Sequence, residues 1–219
     1  MGSLALAAVL GLGAPAESPA GVLFFEDFSD NSAGWTLGPN WGIGSATTSS
    51  GQQYGNPDPG TDHTATADNG VAGVVIGGNA PTGVHPFYFL TSPVIDTAGL
   101  GNITLEFYRW LNSDYTPYMK NKIDVFDGAS WVTLWMSGGS PGVLDAEWTP
   151  QVFDISAFSN SALRVRFGYS IGSGGVYTVS SWNLDDVSIT SMDPVPEPGT
   201  LGLLGVGLFG LAGRRRRRR

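Results

Sequence analysis

The sequence has no cysteine, which removes disulfide frameworks, thiolate metal sites and cysteine nucleophiles together. Charged residues are scarce at 14%, and basic ones scarcer still: 11 Lys and Arg stand against 19 Asp and Glu, for a formal net charge of −8. With an isoelectric point near 4.5 the surface repels phosphate backbones, so nucleic acid is excluded as a partner. Histidine occurs only at His63 and His85, which leaves little material for a catalytic triad, and no zinc-peptidase signature is present. No apolar run approaches the roughly 20 residues that a permanent bilayer helix needs. The 32 glycines follow no three-residue period, which excludes collagen.

The charge that is present is unevenly placed. Six of the 11 basic residues are Arg214 to Arg219, and residues 21–193 hold five bases against 17 acids, a net of −12. The ends of the chain are therefore read apart from the middle.

Residues 4–12 form a short apolar run followed by Ala14-Pro15-Ala16, an A-x-A cleavage pattern. Residues 1–20 are accordingly expected to be a secretory signal peptide and linker. At the other end, Val195-Pro196-Glu197-Pro198 precedes an apolar run at 201–212 and then the arginine block. Twelve to fourteen helical residues span about 20 Å, short of the roughly 30 Å bilayer core. The arginines would hold that end in the cytoplasm and leave the rest of the chain outside the inner membrane. This order of parts, over residues 194–219, resembles the PEP-CTERM sorting signal of Gram-negative bacteria. The resemblance implies an exosortase as partner, a transient anchorage by a short transmembrane helix, and delivery to the cell envelope or a biofilm-type extracellular matrix.

Between the ends, apolar and polar residues alternate in short runs broken by Gly, Pro, Asn and Asp. Ile103, Leu105 and Phe107 alternate with Thr104, Glu106 and Tyr108; Leu163, Val165, Phe167 and Tyr169 alternate with Arg164, Arg166 and Gly168. Such period-2 runs predict strands with one buried face. Further strands are expected at 22–26, 71–76, 87–91, 123–126, 131–136, 151–155 and 182–190, with Asp127-Gly128 marking a hairpin. No ten-residue segment between the termini has helical periodicity. The expected fold class is all-β: a two-sheet antiparallel β-sandwich of jelly-roll type over 21–193, with a short C-terminal apolar helix beyond it. Residues 38–70, rich in Gly, Ser, Thr, Asn and Pro, break the rhythm and read as a long functional or metal-tied loop.

Several landmarks carry a second resemblance. Phe24-Phe25-Glu26-Asp27-Phe28 with Gly34-Trp35, then Leu90-Thr91-Ser92-Pro93-Val94-Ile95-Asp96, then Leu184-Asp185-Asp186-Val187 are in the order found in the cleaved-adhesin, or choice-of-anchor J, domain. The domain resembles that MAM-like jelly-roll family, which implies a non-catalytic adhesin-like module with bound calcium.

Adjacent Asp185 and Asp186 lie inside the last strand, where Asp is disfavoured, and alternation aims Asp185 inward with Val187 and Ile189. A buried carboxylate needs a cation or several donors. First and last strands of jelly rolls lie together, so Glu26, Asp185 and Asp186 are expected to share a calcium ion, with Asp62 from the long loop reaching the same ion or a second one. The competing reading gives Asp185 backbone amides or an arginine and leaves Asp186 in solvent. Gly138-Gly139-Ser140-Pro141-Gly142 matches G-x-S-x-G in letters, but no helical pattern follows it, so it reads as a surface turn. A hydrolase is the remote alternative. Tyr115, Tyr118 and Trp110 are candidates for stacking on a sugar, which would suit a carbohydrate-binding module for exopolysaccharide; Trp131 and Trp135 are expected on one strand face with Thr133.

Overall fold

The computed structural model describes residues 21–64 and 66–192; the expected signal peptide, sorting motif (Val195, Pro196, Glu197, Pro198), apolar helix and arginine block lie outside the described residues. Twelve strands follow in order: β1 (Gly21–Glu26), β2 (Thr36–Leu37), β3 (Trp41–Ser45), β4 (Gly70–Val74), β5 (His85–Thr91), β6 (Ile103–Ser113), β7 (Met119–Phe126), β8 (Trp131–Met136), β9 (Val143–Leu144), β10 (Thr149–Asp154), β11 (Val165–Ile171) and β12 (Trp182–Ser191). A 3-10 turn, Ser156–Phe158, precedes β11.

The strands form two antiparallel sheets. A seven-stranded sheet runs β10-β6-β12-β4-β3, with β1 also on β12 and β9 also on β6; a five-stranded sheet runs β2-β5-β11-β7-β8. The predicted sandwich is therefore present, and its first and last strands do pair. Strand β12 changes neighbour halfway: Asn183 and Leu184 pair with β4, whereas Val187 to Ser191 pair with β1. Asp186 sits at the change as the extra residue of a bulge opposite β6, with φ +49°. Bulges place one residue out of register and bend the strand there.

That bulge corrects the alternation drawn from sequence. Leu184 lies opposite Arg109 and Asp185 opposite Tyr108, which puts Asp185 on the outer side of the sheet, not in the core. It is nevertheless 1% exposed, because the part of the long loop that follows β3, the insert, lies over that outer side, with the His63 amide donating to Asp185 and the His63 ring on Tyr108. The long loop is in part a strand, β3, which continues the sheet beside β4. A second bulge in β8, between the pairs Ile123–Trp135 and Asp124–Thr133, splits the two tryptophans expected together. Trp135 shares the inner face with buried Ile123, while Trp131 and Thr133 share the outer face with Phe126 and Asp124.

The core lies between the sheets. Phe167 meets Phe107 edge-on at 5.0 Å and Trp182 at 5.9 Å, and Trp41 meets Trp182 at 5.7 Å. Each such fully buried side chain contributes about 1.5–3 kcal/mol of burial free energy, and the aromatic geometry adds specificity. The predicted hairpin after β7 closes as expected: Asp127 Oδ1 accepts the amides of Ala129 and Ser130, and Gly128 takes φ +98°. Among the described residues Arg109 is the one cation that points between the sheets; Asp145 binds it through two hydrogen bonds of 2.8 and 3.0 Å.

Candidate functional site

Strand β6 buries alternate residues through Ile103, Leu105 and Phe107 and turns Glu106, Tyr108 and Trp110 outward. The insert covers the upper part of this outer face. Trp110 Nε1 donates to Pro57 O at 3.0 Å, Trp148 Nε1 donates to Thr61 O at 3.2 Å, and the His63 ring stacks on Tyr108 with centroids 3.3 Å apart. Below the insert the face is open as a groove of about 280 Å³. Its floor includes a straight cross-strand row: Phe25 opposite Ser188, Ser188 opposite Glu106, and Glu106 opposite Val152. Phe25 is 54% exposed and Val152 60%, so two solvent-facing apolar side chains flank a hydroxyl and a carboxylate. Thr64 and Asp186 form the upper wall.

The wall is held by the two adjacent aspartates. Asp185 Oδ2 accepts the His63 amide and Oδ1 the Asp186 amide, both at 2.8 Å. His63 Nδ1 pairs with Asp186 Oδ2 at 2.7 Å, and the Thr64 hydroxyl donates to the same oxygen. Burial pushes the Asp185 carboxyl up to about 7, against the His63 amide, which favours its charged form. The positive φ of Asp186 is thus tied to a contact that docks the insert.

The expected calcium ligands do not meet. Glu26 accepts from the Phe28 amide at 2.9 Å and from Trp35 Nε1 at 3.0 Å, behind β1, and burial raises its pKa. Asp62 turns its carboxylate back into its own loop, onto the Thr66 hydroxyl at 2.7 Å. Among the described residues no three His, Cys, Asp or Glu gather as a metal-holding group. Calcium takes six to eight oxygens, so Glu26, Asp62, Asp185 and Asp186 in this arrangement do not fit one shared ion.

The aromatic candidates also separate. Tyr115 and Tyr118 meet edge-on at 83°, not as a coplanar pair, and Trp110 lies under the insert against Trp148. The letters of the nucleophile elbow fall in a turn with a cis Ser140–Pro141 bond, which leads into β9 and not into a helix.

A further buried carboxylate lies in the oxygen-rich stretch 56–63 that also holds Asp62. Asp58, 2% exposed, accepts at Oδ1 from the Ser181 amide (3.0 Å), the Ser181 hydroxyl (2.8 Å) and Asn183 Nδ2 (2.9 Å). Its own amide donates to Ser49 Oγ at 2.8 Å. Burial pushes its carboxyl up to about 6, against these donors and the nearby Gly77 amide. It sits among prolines in a loop, so no periodicity marked its burial. Phe25 and Val152 escaped for a different reason: an outward apolar residue beside apolar neighbours looks like core until pairing assigns its face.

Comparison with known proteins adds the following. Residues 194–218 match the PEP-CTERM protein-sorting motif, so the C terminus carries that motif, which implies exosortase processing and an exported, envelope-directed protein. No curated protein matches the chain. Among solved structures, it is similar to the CBM22-1 xylan-binding domain of Xyn10C from Paenibacillus barcinonensis, at 12% identity and TM-score 0.43, over 82% of this chain and all of that one. It is also similar to a cleaved adhesin domain of Lys-gingipain from Porphyromonas gingivalis, at 16% identity and TM-score 0.44, over 77% of this chain and 97% of that domain. A third is SGBP-B from a xyloglucan utilization locus of Bacteroides uniformis, at 12% identity and TM-score 0.47, over 75% of this chain and 48% of that one. At these values the likeness carries no argument about ligand.

Proposed function

We propose that the domain is a non-catalytic adhesive module of the cell envelope or extracellular matrix, released there after exosortase processing, and that it holds its partner in the groove below the insert. The row Phe25–Ser188–Glu106–Val152 carries this reading. Exposed apolar side chains at both edges of a polar strip supply contact area together with hydrogen-bonding groups, the composition of a recognition surface. The sorting motif supports the location.

A second reading, a carbohydrate-binding module for exopolysaccharide, draws on the same row. A sugar ring has an apolar face that suits Phe25 and hydroxyls that suit Glu106 and Ser188. The edge-on geometry of Tyr115 and Tyr118 and the cover over Trp110 count against the broad stacking platform such a module uses.

The test is retention in the matrix of the producing cells. The double substitution Phe25→Ser, Val152→Ser is expected to move the protein from the matrix fraction to the culture supernatant with an unchanged melting temperature, since both side chains are exposed. Unchanged retention would overturn the assignment of the groove. Release of the wild-type protein by soluble exopolysaccharide fragments would select the second reading over the first.

A further inference from the structure

The groove below the insert carries two carboxylates and no basic residue. Glu106 is exposed on its floor and makes no ion pair among the described residues. Asp186, in the upper wall, is used on one side only. Its Oδ2 takes His63 Nδ1 and the Thr64 hydroxyl, whereas Oδ1 is buried and has no hydrogen-bond partner among the described residues. The five bases of residues 21–193 stand elsewhere: Arg109 lies between the sheets, Lys120, Lys122 and Arg166 are on β7 and β11, and Arg164 directly precedes β11. Two carboxylates in one groove repel each other, and a buried acceptor without a donor is costly. A group that brings N–H donors together with a positive charge relieves both; a neutral hydroxyl relieves only the second.

The floor sets the shape of what fits. The row Phe25–Ser188–Glu106–Val152 crosses four adjacent strands, β1, β12, β6 and β10. Three inter-strand steps of about 4.8 Å put its apolar ends about 14 Å apart. In an extended polypeptide, side chains on one side are spaced by about 6.7 Å, so residues i and i+4 are about 13 Å apart and residue i+2 falls midway. Laid along the row, such a segment places its first and last same-side residues on Phe25 and Val152. The middle one then stands over Ser188 and Glu106, below Asp186.

We propose that the groove takes an extended polypeptide segment of the pattern apolar-x-basic-x-apolar, with the head of its central Arg or Lys between Glu106 and Asp186 and its outer side chains on Phe25 and Val152. This occupant presupposes the groove as the binding site, the reading given above, and specifies the chemistry of the partner. Charge complementarity favours it over a neutral chain, since the domain offers a net −12 and keeps its cations off this surface.

The experiment uses protein purified from the matrix or culture supernatant of producing cells. The probe is a fluorescent peptide, Ser-Leu-Ser-Arg-Ser-Leu-Ser, with a counterpart carrying citrulline at the centre, which keeps the shape and removes the charge. Fluorescence anisotropy at low salt is expected to show about tenfold tighter binding of the arginine peptide. That preference is expected to shrink at about 0.5 M salt, where exposed charges are screened. Glu106→Gln is expected to cost the arginine peptide about fivefold in affinity. Asp96→Asn, at an exposed carboxylate outside the groove, is expected to cost it nothing. The double substitution Phe25→Ser, Val152→Ser is expected to weaken both peptides alike. Equal affinity for the two peptides, or a Glu106→Gln loss no larger than that of Asp96→Asn, overturns the basic occupant. Binding that vanishes in EDTA overturns it too, because a bridging metal would then carry the contact. Tighter binding of soluble exopolysaccharide fragments than of the arginine peptide assigns the groove to sugar instead. The two readings fail separately. Matrix retention that depends on Phe25 and Val152, without a preference for arginine, leaves the groove in place and removes its occupant; retention unchanged in the double variant removes the groove itself.

Discussion

Arg109 offers the most exposed test of how the seven-stranded sheet is held. Its guanidinium points between the sheets at 9% exposure and is bound by Asp145 through Nε at 2.8 Å and Nη2 at 3.0 Å. Asp145 Oδ2 also accepts the Leu111 amide at 2.9 Å, and the Asp145 carbonyl accepts from Asn112 and Asn56. The pair therefore joins β6 to the segment between β9 and β10, which leads into the Val152 edge of the groove. Arg109→Met keeps much of the stem volume but leaves the Asp145 carboxylate, 10% exposed, without its cation. Removing one partner of such a pair costs about 3–5 kcal/mol, a large share of the ~5–15 kcal/mol that stabilises a whole domain. For a domain of this size that is a fall in melting temperature of about 6–20 °C. Asp145→Leu alone should cost a similar amount, and the double variant clearly less than the sum, because it leaves no unpaired charge. Denaturant unfolding of the four proteins gives the coupling energy. An Arg109→Met loss below about 1 kcal/mol, the scale of a surface pair, with a coupling energy near zero would refute the reasoning.

Two further outcomes follow from the site. The Asp185 carboxyl is raised from 3.8 to about 7, so between those values the folded protein binds more protons than the unfolded chain and stability falls as pH rises. Asp185 is therefore expected to contribute a loss of at most about 4 kcal/mol between about pH 4 and 7. Denaturant unfolding across that window in EDTA should give a flatter profile for Asp185→Asn, and equal slopes would reject the assignment. The sorting motif at 194–218 predicts that the protein recovered from the envelope or matrix lacks the arginine block; an intact Arg219 by mass spectrometry would reject processing.

Much of the sandwich was legible because its strands obey period 2. The runs at 103–108 and 163–169 announced β6 and β11, and Asp127-Gly128 announced the β7–β8 hairpin. Alternation failed where the backbone adds a residue. At Asp186 the bulge moved Asp185 to the opposite face from the one that counting assigned, and at β8 a bulge parted Trp131 from Trp135. Strands β2 and β9 have two residues each, too short to carry a period, and β3 is half glycine-spaced, so it read as loop. Asp185 was identified as a buried carboxylate for a reason that proved wrong: its cover is the insert, not the core. Burial imposed by a long-range loop leaves no local pattern, which is also why nothing around Asp58 announced that it is buried.

The two outer faces of the sandwich differ in a way that bears on where a partner binds. On the five-stranded sheet the exposed side is already occupied by its own side chains. Arg166 lies over Phe89 at 3.8 Å and Trp131 at 4.1 Å, Lys122 lies over Phe87 at 4.7 Å, and Asp124, 1% exposed, takes Lys122, Arg166 and the Thr133 hydroxyl. Four of the five bases between residues 21 and 193 stand there, and an incoming ligand would have to displace cation–π and ion-pair contacts of about 0.5–2 kcal/mol each before making its own. On the seven-stranded sheet the upper half is covered by the insert, which consumes Tyr108, Trp110 and Asp186. The lower half keeps Phe25 and Val152 in solvent with Ser188 and Glu106 between them. Binding there meets two apolar side chains that are already more than half exposed. The excess of acid that first excluded nucleic acid thus has a structural counterpart: the domain's few cations are spent on closing one face, and recognition is left to the other.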